Sequence, residues 1–496
     1  MRYFTNFSQI WLAGLAAFSL AFAASSQTII TPATYSGTWT SSGSPYMVVE
    51  NITVPAGQTL TIGPGVEVVI GAGVSITANG LVQAVGSPTQ RIKITSPISS
   101  EYYDAIYLYS GTGTNLFEYC DFAGADNALY FYNNTADIVT FCTFQNMTNS
   151  IVIYGLGNNY MMPVEIMNCT FSNCFSQAIY GTGQGQAWVW YSANGEISPV
   201  IKNCAFCATG NGCVLDIVGN YASWYENEQA WGWGLANAII SQNIFQNLSG
   251  SALLTEVGSY AYSGTAVFMN NTVVNCSNGV SATDPWNVQI TDNIFVGATD
   301  AVTVSGSLSQ TVSFNDFYNN ATNFTGYPLN YGVWVIPNRN GTLADILLNI
   351  SEDPLFAATN DFHLQTSSPC IDAGTPDPAF AEVIFPPAQG TSYPDLGAYG
   401  GLEGCNWLDV VPGVPVQLSL SPSNSLLCLN WTGIPRSSYQ IQYLPTSFSA
   451  SGHNQWLSNS TLMAVDQTCS MAVSACPLTN SQGFYRIKSL GRLQGD

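Results

Sequence analysis

Apolar residues in this chain fall in short alternating runs broken by Gly, Pro, Asn and Asp, and seldom at helical spacing. The pattern predicts many short β-strands and few helices. From Phe117 onward it repeats. Phe117 to Phe122 is followed by Phe141 to Phe144, Asn168 to Phe171, Asn203 to Phe206, Asn243 to Phe245, Asn270 to Val273, Asn293 to Phe295 and Asn315 to Phe317. The last apolar residue of each unit falls at 122, 144, 171, 206, 245, 273, 295 and 317, so the spacings are 22, 27, 35, 39, 28, 22 and 22. A coil of 22 residues, lengthened by insertions in the middle, accounts for the whole series.

A second strand follows each anchor. It starts with a small residue (Ala128, Ser150, Ala178, Cys213, Ala252, Gly279, Ala301, and Ala105 in the coil before). Its second position is apolar throughout: Ile106, Leu129, Ile151, Ile179, Val214, Leu253, Val280 and Val302. Strand side chains alternate, so this row points inward. The recurrent Asn suits left-handed corners and stacked amides. Tyr46 to Ser96, with its Pro-Gly and Asn-Gly turns, reads as the first coils. The architecture expected is all-β: a parallel β-helix, or β-solenoid.

The opening coils resemble those of many secreted bacterial right-handed β-helix proteins. Glu352 to Phe356, Asp361 to Gln365, Ser368 to Gly374 and Asp395 to Gly401 resemble the choice-of-anchor Q segment that closes such helices. The resemblance covers residues 45–401 and implies the right-handed form and an extracellular or cell-surface setting, with no single activity. Phe385 to Gly390 replaces the acidic loop of the usual closing pattern. Asp372, Asp377 and Asp395 are therefore expected to make Asx turns rather than a calcium site. Beyond Pro412, alternating strands around Trp431, Tyr439 and Tyr485 are similar to a fibronectin-type-III-like module. The expected organisation is a signal peptide at 1–23, a lead-in at 24–44, and the β-helix at 45–401 with its closing segment near 350–401. A linker at 402–415 and a small β-sandwich at 416–490 follow.

The signal peptide is read from Arg2, the apolar stretch Ile10 to Phe22, and the small-x-small site Ala21 to Ala23. No other stretch reaches membrane-span length. Nine Lys and Arg stand against 30 Asp and Glu, for a net charge of −21, which argues against nucleic acid and strongly anionic polysaccharide as partners. Four of the 13 Cys (Cys120, Cys142, Cys169, Cys204) share one coil position and read as small buried hydrophobes. Cys428 with Cys469 or Cys476 is the better disulfide candidate. The two His, His363 and His453, lie outside the repeats, and no metal or cofactor is expected.

The outward rows of the second strand are aromatic: Tyr107, Tyr109, Tyr130, Tyr132, Tyr154 and Tyr180. The insertions leave from the end of the same strand and carry Trp188, Trp190, Tyr191, Trp224, Tyr225, Trp231, Trp233, Tyr260, Tyr262 and Trp286. Tyr and Trp offer flat apolar faces to sugar rings and polar edges to hydroxyls. The rows and loops together predict a groove for a neutral polysaccharide or surface glycan; the loops could instead bury their Trp residues against one another. Glu256, on an outward position, pairs with Glu226 or Glu228 as candidates for a glycoside hydrolase, with Glu196 and Asp284 nearby. Asp216 falls on a nominally inward position, either as a satisfied buried carboxylate or as the mark of a register shift.

Uronate lyases need cations and a basic proton acceptor, yet only Lys202 and Arg339 lie between residues 94 and 435. Polygalacturonase-like Asp-Asp and Gly-His-Gly motifs are missing from the sequence, as are Walker, HExxH and GxSxG motifs. Three functions remain: glycan binding or adhesion, carboxylate-dependent hydrolysis of neutral polysaccharide, and a structural envelope or matrix role.

Overall fold

The computed structural model describes residues 27–401, apart from short interruptions at 32–33, 99–100, 110–112, 189–190, 226–227, 307–310, 329 and 383–387, together with strands between 418 and 492. The signal-peptide and linker expectations lie outside the described residues. No helix among the described residues is long and apolar enough to cross a membrane.

Residues 27–325 wind into a parallel β-helix with three faces. The first face runs from Thr28–Ile30 through Cys120–Ala123 and Ala205–Cys207 to Asp316–Tyr318. The second runs from Ile52–Val54 through Ala125–Tyr132 and Asn211–Val218 to Thr322–Thr325. The third is an 11-stranded sheet from Gly37–Trp39 to Thr311–Ser313. Each strand pairs in parallel with its counterpart one coil on. The first two faces merge where Thr143–Leu156 and Thr170–Gln184 run through the corner unbroken. Thr28–Ile30 and Gly37–Trp39 already belong to these faces, so the helix starts inside the expected lead-in. Trp39 stacks on Tyr46 at 4.7 Å and anchors that first coil.

Identical positions stack on one another inside. Phe122, Phe144, Phe171, Phe206 and Phe245 form a file with centroids 4.6–4.9 Å apart and planes within 11°. Where Val273 replaces Phe, Phe268 from the third face fills the space and the file continues to Phe295 and Phe317. The thiols of Cys120, Cys142, Cys169 and Cys204 are free and buried beside it. Each donates to backbone carbonyls, Cys204 to Lys202 O at 3.2 Å.

At Cys204 this row changes character. The next residues in it are Asn243, Asn271, Asn293, Asn315 and Asn349, all fully buried. The backbone N–H of each donates to the side-chain oxygen of the next, at 3.0, 2.8, 2.9 and 3.0 Å from Asn243 to Asn315. The corner role falls to the residue just before, which has positive φ: Asn168, Asn203, Gln242, Asn270, Asp292. The two duties expected of the recurrent Asn are thus divided between adjacent positions.

One coil departs from the expected register. Cys213, not Val214, lies beside Ile179 and Leu253 in the inward row. The small residue is Gly212, where an added Cβ would meet the Phe245 ring at 2.7 Å. The one-residue shift turns Val214 and Asp216 outward.

The segment expected to close the helix instead lies along the outer side of the first face. Ala398 and Phe362 pack on Ile244 and Val274, and Leu396 and Cys370 pack on Ile294. Asn270 donates to Asp395 O at 3.1 Å, and Thr375 N–H donates to Asp292 at 2.8 Å. The apolar outward residues of those coils supply the reason. Asp372 accepts from Thr391, Asp377 caps Pro378–Phe380, and Asp395 accepts from Asp372 and Gln389. The C-terminal strands form two three-stranded antiparallel sheets. Their register sets Cys428 opposite Ala472 and Cys469 opposite Trp431, so those two Cys are not cross-strand neighbours; Cys476 lies outside the described residues.

Burial raises the carboxyls under this segment. Desolvation pushes Asp316 up to about 8; Glu382 is raised by desolvation and then by the Asp395 charge, and Asp395 by desolvation and, less, by the Asp372 charge. A raised carboxyl contributes stability that is complete below its unfolded value near 4 and is lost as pH rises through the folded value. The melting temperature is therefore expected to fall between pH 5 and pH 9. Glu382→Gln keeps the acceptor for Asp395 and Gly401 N–H and should flatten that slope. A slope unchanged by the substitution would remove Glu382 from the account. In urea unfolding, Asn293→Ala should cost about 2–3 kcal/mol through its orphaned partners, against less than about 0.5 kcal/mol for exposed Asn287→Ala.

Candidate functional site

The outward side of the second face is set by strand register. One row reads Tyr107, Tyr130, Val152, Tyr180, Val214 and Leu254. The row beside it reads Tyr132, Tyr154, Thr182, Asp216 and Glu256, with Tyr109 above. Ring centroids lie 5.3 Å apart for Tyr107 and Tyr130, 5.2 Å for Tyr109 and Tyr132, and 5.6 Å for Tyr132 and Tyr154. The structure thus brings five of the six tyrosines into one continuous ring-to-ring patch, and Tyr180 continues its row below Val152. Three of the hydroxyls are held: Tyr107 donates to Asp104 at 3.1 Å, Tyr180 to Asp216 at 3.4 Å, and Tyr154 to Gln184. Burial, then the Asp104 charge, pushes Tyr107 up to about 12; burial, then Asp216, does the same for Tyr180. These phenols stay neutral.

Two insertions fold as antiparallel hairpins, Gln186–Trp188 with Tyr191–Ala193 and Asn220–Tyr225 with Glu228–Gly232. Both stand at the corner between the second and third faces. Their bases meet backbone to backbone. An added Cβ at Gly232 would lie 2.2 Å from Gln186 O, and one at Gly185 would lie 2.2 Å from Gly232. Trp233 N–H donates to Asn194 at 3.1 Å and ties the second hairpin to the first.

Above this base the rings cluster. Tyr221 lies 4.3 Å from Trp231 and 5.6 Å from Tyr260, Trp231 lies 5.3 Å from Trp233, and Trp233 lies 5.1 Å from Tyr262. Trp188 and Tyr191 pair at 5.5 Å. The loops support one another yet keep their rings open: Trp188, Tyr260 and Tyr262 remain 59, 53 and 58% exposed. The loop rings thus pack on one another and still present exposed faces. Trp286 is a correction: it is fully buried, packs on Gly264 and donates to Glu256 O at 2.9 Å. Trp190 and the side chains of Trp224, Tyr225, Glu226 and Glu228 lie outside the described residues.

Of the two readings open for Asp216, a buried carboxylate or the mark of a register shift, the structure has the second: the shift at Gly212 brings it into the outward row beside Glu256. Desolvation raises both carboxyls, opposed at Asp216 by the Tyr180 hydrogen bond and augmented at Glu256 by the Asp216 charge. Sequence reading missed Tyr221 and left the place of Asp216 open; the Gly212-Cys213 pair was the available signal for deciding it. Glu196 is half-buried at the hairpin base, its N–H donating to Asn158. A separate cavity of about 290 Å³ lies between the third face and Pro378–Phe380, lined by Lys202, Gln242 and Phe380 among others. It shares no residue with the aromatic patch.

Comparison with known proteins gives likenesses of two kinds, to a family and to solved structures. Residues 177–350 match the family described as periplasmic copper-binding protein (NosD). A solved arginine-to-alanine mutant of the PL6 family alginate lyase AlyGC is similar at 13% identity and a TM-score of 0.22, covering 75% of this chain. The chain spans 59% of that enzyme's length. No curated protein matches. The residues present do not fit copper: the matched segment has no His, and of its four Cys three (Cys204, Cys213 and Cys276) are buried in the core, leaving one partly exposed thiol, Cys207. Among the described residues no group of three His, Cys, Asp or Glu is placed to hold a metal.

The hairpin contact is testable. Gly232→Ala should force the hairpins apart, shift tryptophan emission to the red and speed proteolytic nicking at the hairpins. Unchanged emission and nicking would show that the backbone contact does not hold the cluster.

Proposed function

We infer that this is an exported glycan-binding protein that holds a neutral polysaccharide against its second face. The observation that carries this reading is the continuous patch of Tyr107, Tyr109, Tyr130, Tyr132 and Tyr154, with neutral hydroxyls at its edges. Exposed Trp188, Tyr191, Trp231, Tyr260 and Tyr262 extend it along one corner. Aromatic rings stack on the C–H faces of sugars, and the surrounding acids repel polyanions. A net charge of −21 fits a neutral ligand better than a uronate. Export rests on the signal-like N-terminus, and the periplasmic setting named for the matched family supports it. The rigid coil stack and the C-terminal strands suit adhesion at a surface.

The test is retention of the full chain on insoluble or immobilised β-glucan, xylan, mannan, starch and galactan. Tyr130→Ala with Tyr132→Ala should weaken retention at least about tenfold, since each stacked ring is worth on the order of 1 kcal/mol. Retention should persist from 50 to 500 mM salt, because no ion pair drives it. Retention that the double variant leaves intact, or that salt abolishes, would overturn the reading.

A further inference from the structure

Two carboxylates stand at the foot of the hairpin aromatics, and the fold sets their separation. Asp216 and Glu256 are register partners on neighbouring parallel strands and project from the same outward row. Asp216 is half-buried and Glu256 exposed. Parallel strands lie about 4.8 Å apart. Equivalent side chains on adjacent coils therefore fall near the roughly 5–5.5 Å carboxyl separation of retaining glycoside hydrolases, and short of the roughly 6.5–9.5 Å of inverting ones.

The rings supply an independent indication. Both strands run directly into the loops that bear them. Tyr221 stands five residues after Asp216, and Tyr260 four after Glu256. These two rings meet at 5.6 Å, with Trp231 against both at 4.3 and 5.7 Å. The backbone beneath is fixed: Gly258 N–H donates to Ile217 O at 2.9 Å and Gly219 N–H to Ser259 O at 2.8 Å. An exposed aromatic wall thus rises from the same two strand ends as the carboxyl pair. Flat apolar rings beside two carboxyls are the parts needed to seat a sugar ring and cleave its glycosidic bond.

We propose that Asp216 and Glu256 hydrolyse neutral glycans with retention of anomeric configuration, Asp216 as nucleophile and Glu256 as acid and base. The proposal rests on the glycan reading above. A carboxylate oxygen of Asp216 attacks the anomeric carbon. The new C–O ester bond forms as the glycosidic C–O bond breaks, and the Glu256 proton passes to the departing oxygen. Water then attacks the same carbon and gives a proton to Glu256, and the ester bond breaks to restore the Asp216 carboxylate. The roles follow from the surroundings. The Tyr180 hydroxyl donates to Asp216 at 3.4 Å and favours its charged form. That charge in turn favours a proton on Glu256.

The experiment incubates the full chain with the same five polysaccharides and scores both retention and new reducing ends. Asp216→Asn and Glu256→Gln should each lose at least about a thousandfold in release while keeping retention and melting temperature. The 2,4-dinitrophenyl 2-deoxy-2-fluoro glycosides of glucose, xylose, mannose and galactose should include one that adds a glycosyl mass to the peptide holding Asp216. Proton NMR of the first product should show the substrate's anomeric configuration, a readout that needs no variant. Retention without release would overturn hydrolysis and leave the binding reading standing. Release that survives both substitutions, or an inverted product, would overturn this pair. Absence of retention and release on every glycan would remove both readings together.

Discussion

The hydrogen-bond ladder between parallel strands governs this molecule. It holds each coil about 4.8 Å above the last, so a side chain's nearest neighbours are its own counterparts. Like therefore stacks on like. The phenylalanine file, the thiol row, the amide row and the outer tyrosines are four results of that single constraint. The amide row is the most demanding of them, because a buried Asn is tolerated only with its partners in place. Asn293 meets the demand by donating to Phe268 O, Thr291 O and Asn315 while accepting from Asn271. Thiols need less satisfaction, which is why the row can begin as Cys and continue as Asn.

The same constraint explains where chemistry collects. Inward positions are committed to packing, and outward positions on the first face near Ile244 and Ile294 are covered by Phe362, Cys370, Leu396 and Ala398. The second face keeps its outer rows open. Insertions leave the coil at the corner beyond it, so their rings rise beside the tyrosines without disturbing the stack below. Gly185, Gly195, Gly232 and Gly234 let the inserted strands approach closely enough to brace one another.

Much of this was legible in the sequence. The 22-residue spacing and the anchors at Phe144, Phe171 and Phe206 identified the coil, and alternation placed the tyrosines outside. Three things were hidden. In the coil of Cys213 two small residues, Gly212 and Cys213, compete for one position, and only the Phe245 ring decides between them. Residues 350–401 read as an end cap because their turns are local, while their partners lie some hundred residues back, as Gln246 and Asn360 show. Trp286 read as a loop residue, and its burial depends on Gly264 in the coil before. Each miss concerns a contact between coils, which strand-level patterns do not encode.

From Asn271 to Asn293 to Asn315 the coils are equal in length, and each carries its own amide, left-handed corner and aromatic or aliphatic anchor. Every junction there presents the same chemistry above and below. Duplication or excision of one such unit in the gene leaves all remaining junctions matched, whereas gain or loss of any other length breaks the amide row. The stack alone would therefore accept a change by whole turns, but the outer segment is pinned to these same coils by Asn270 with Asp395 and Asp292 with Thr375, so a gained or lost turn must also re-seat that segment.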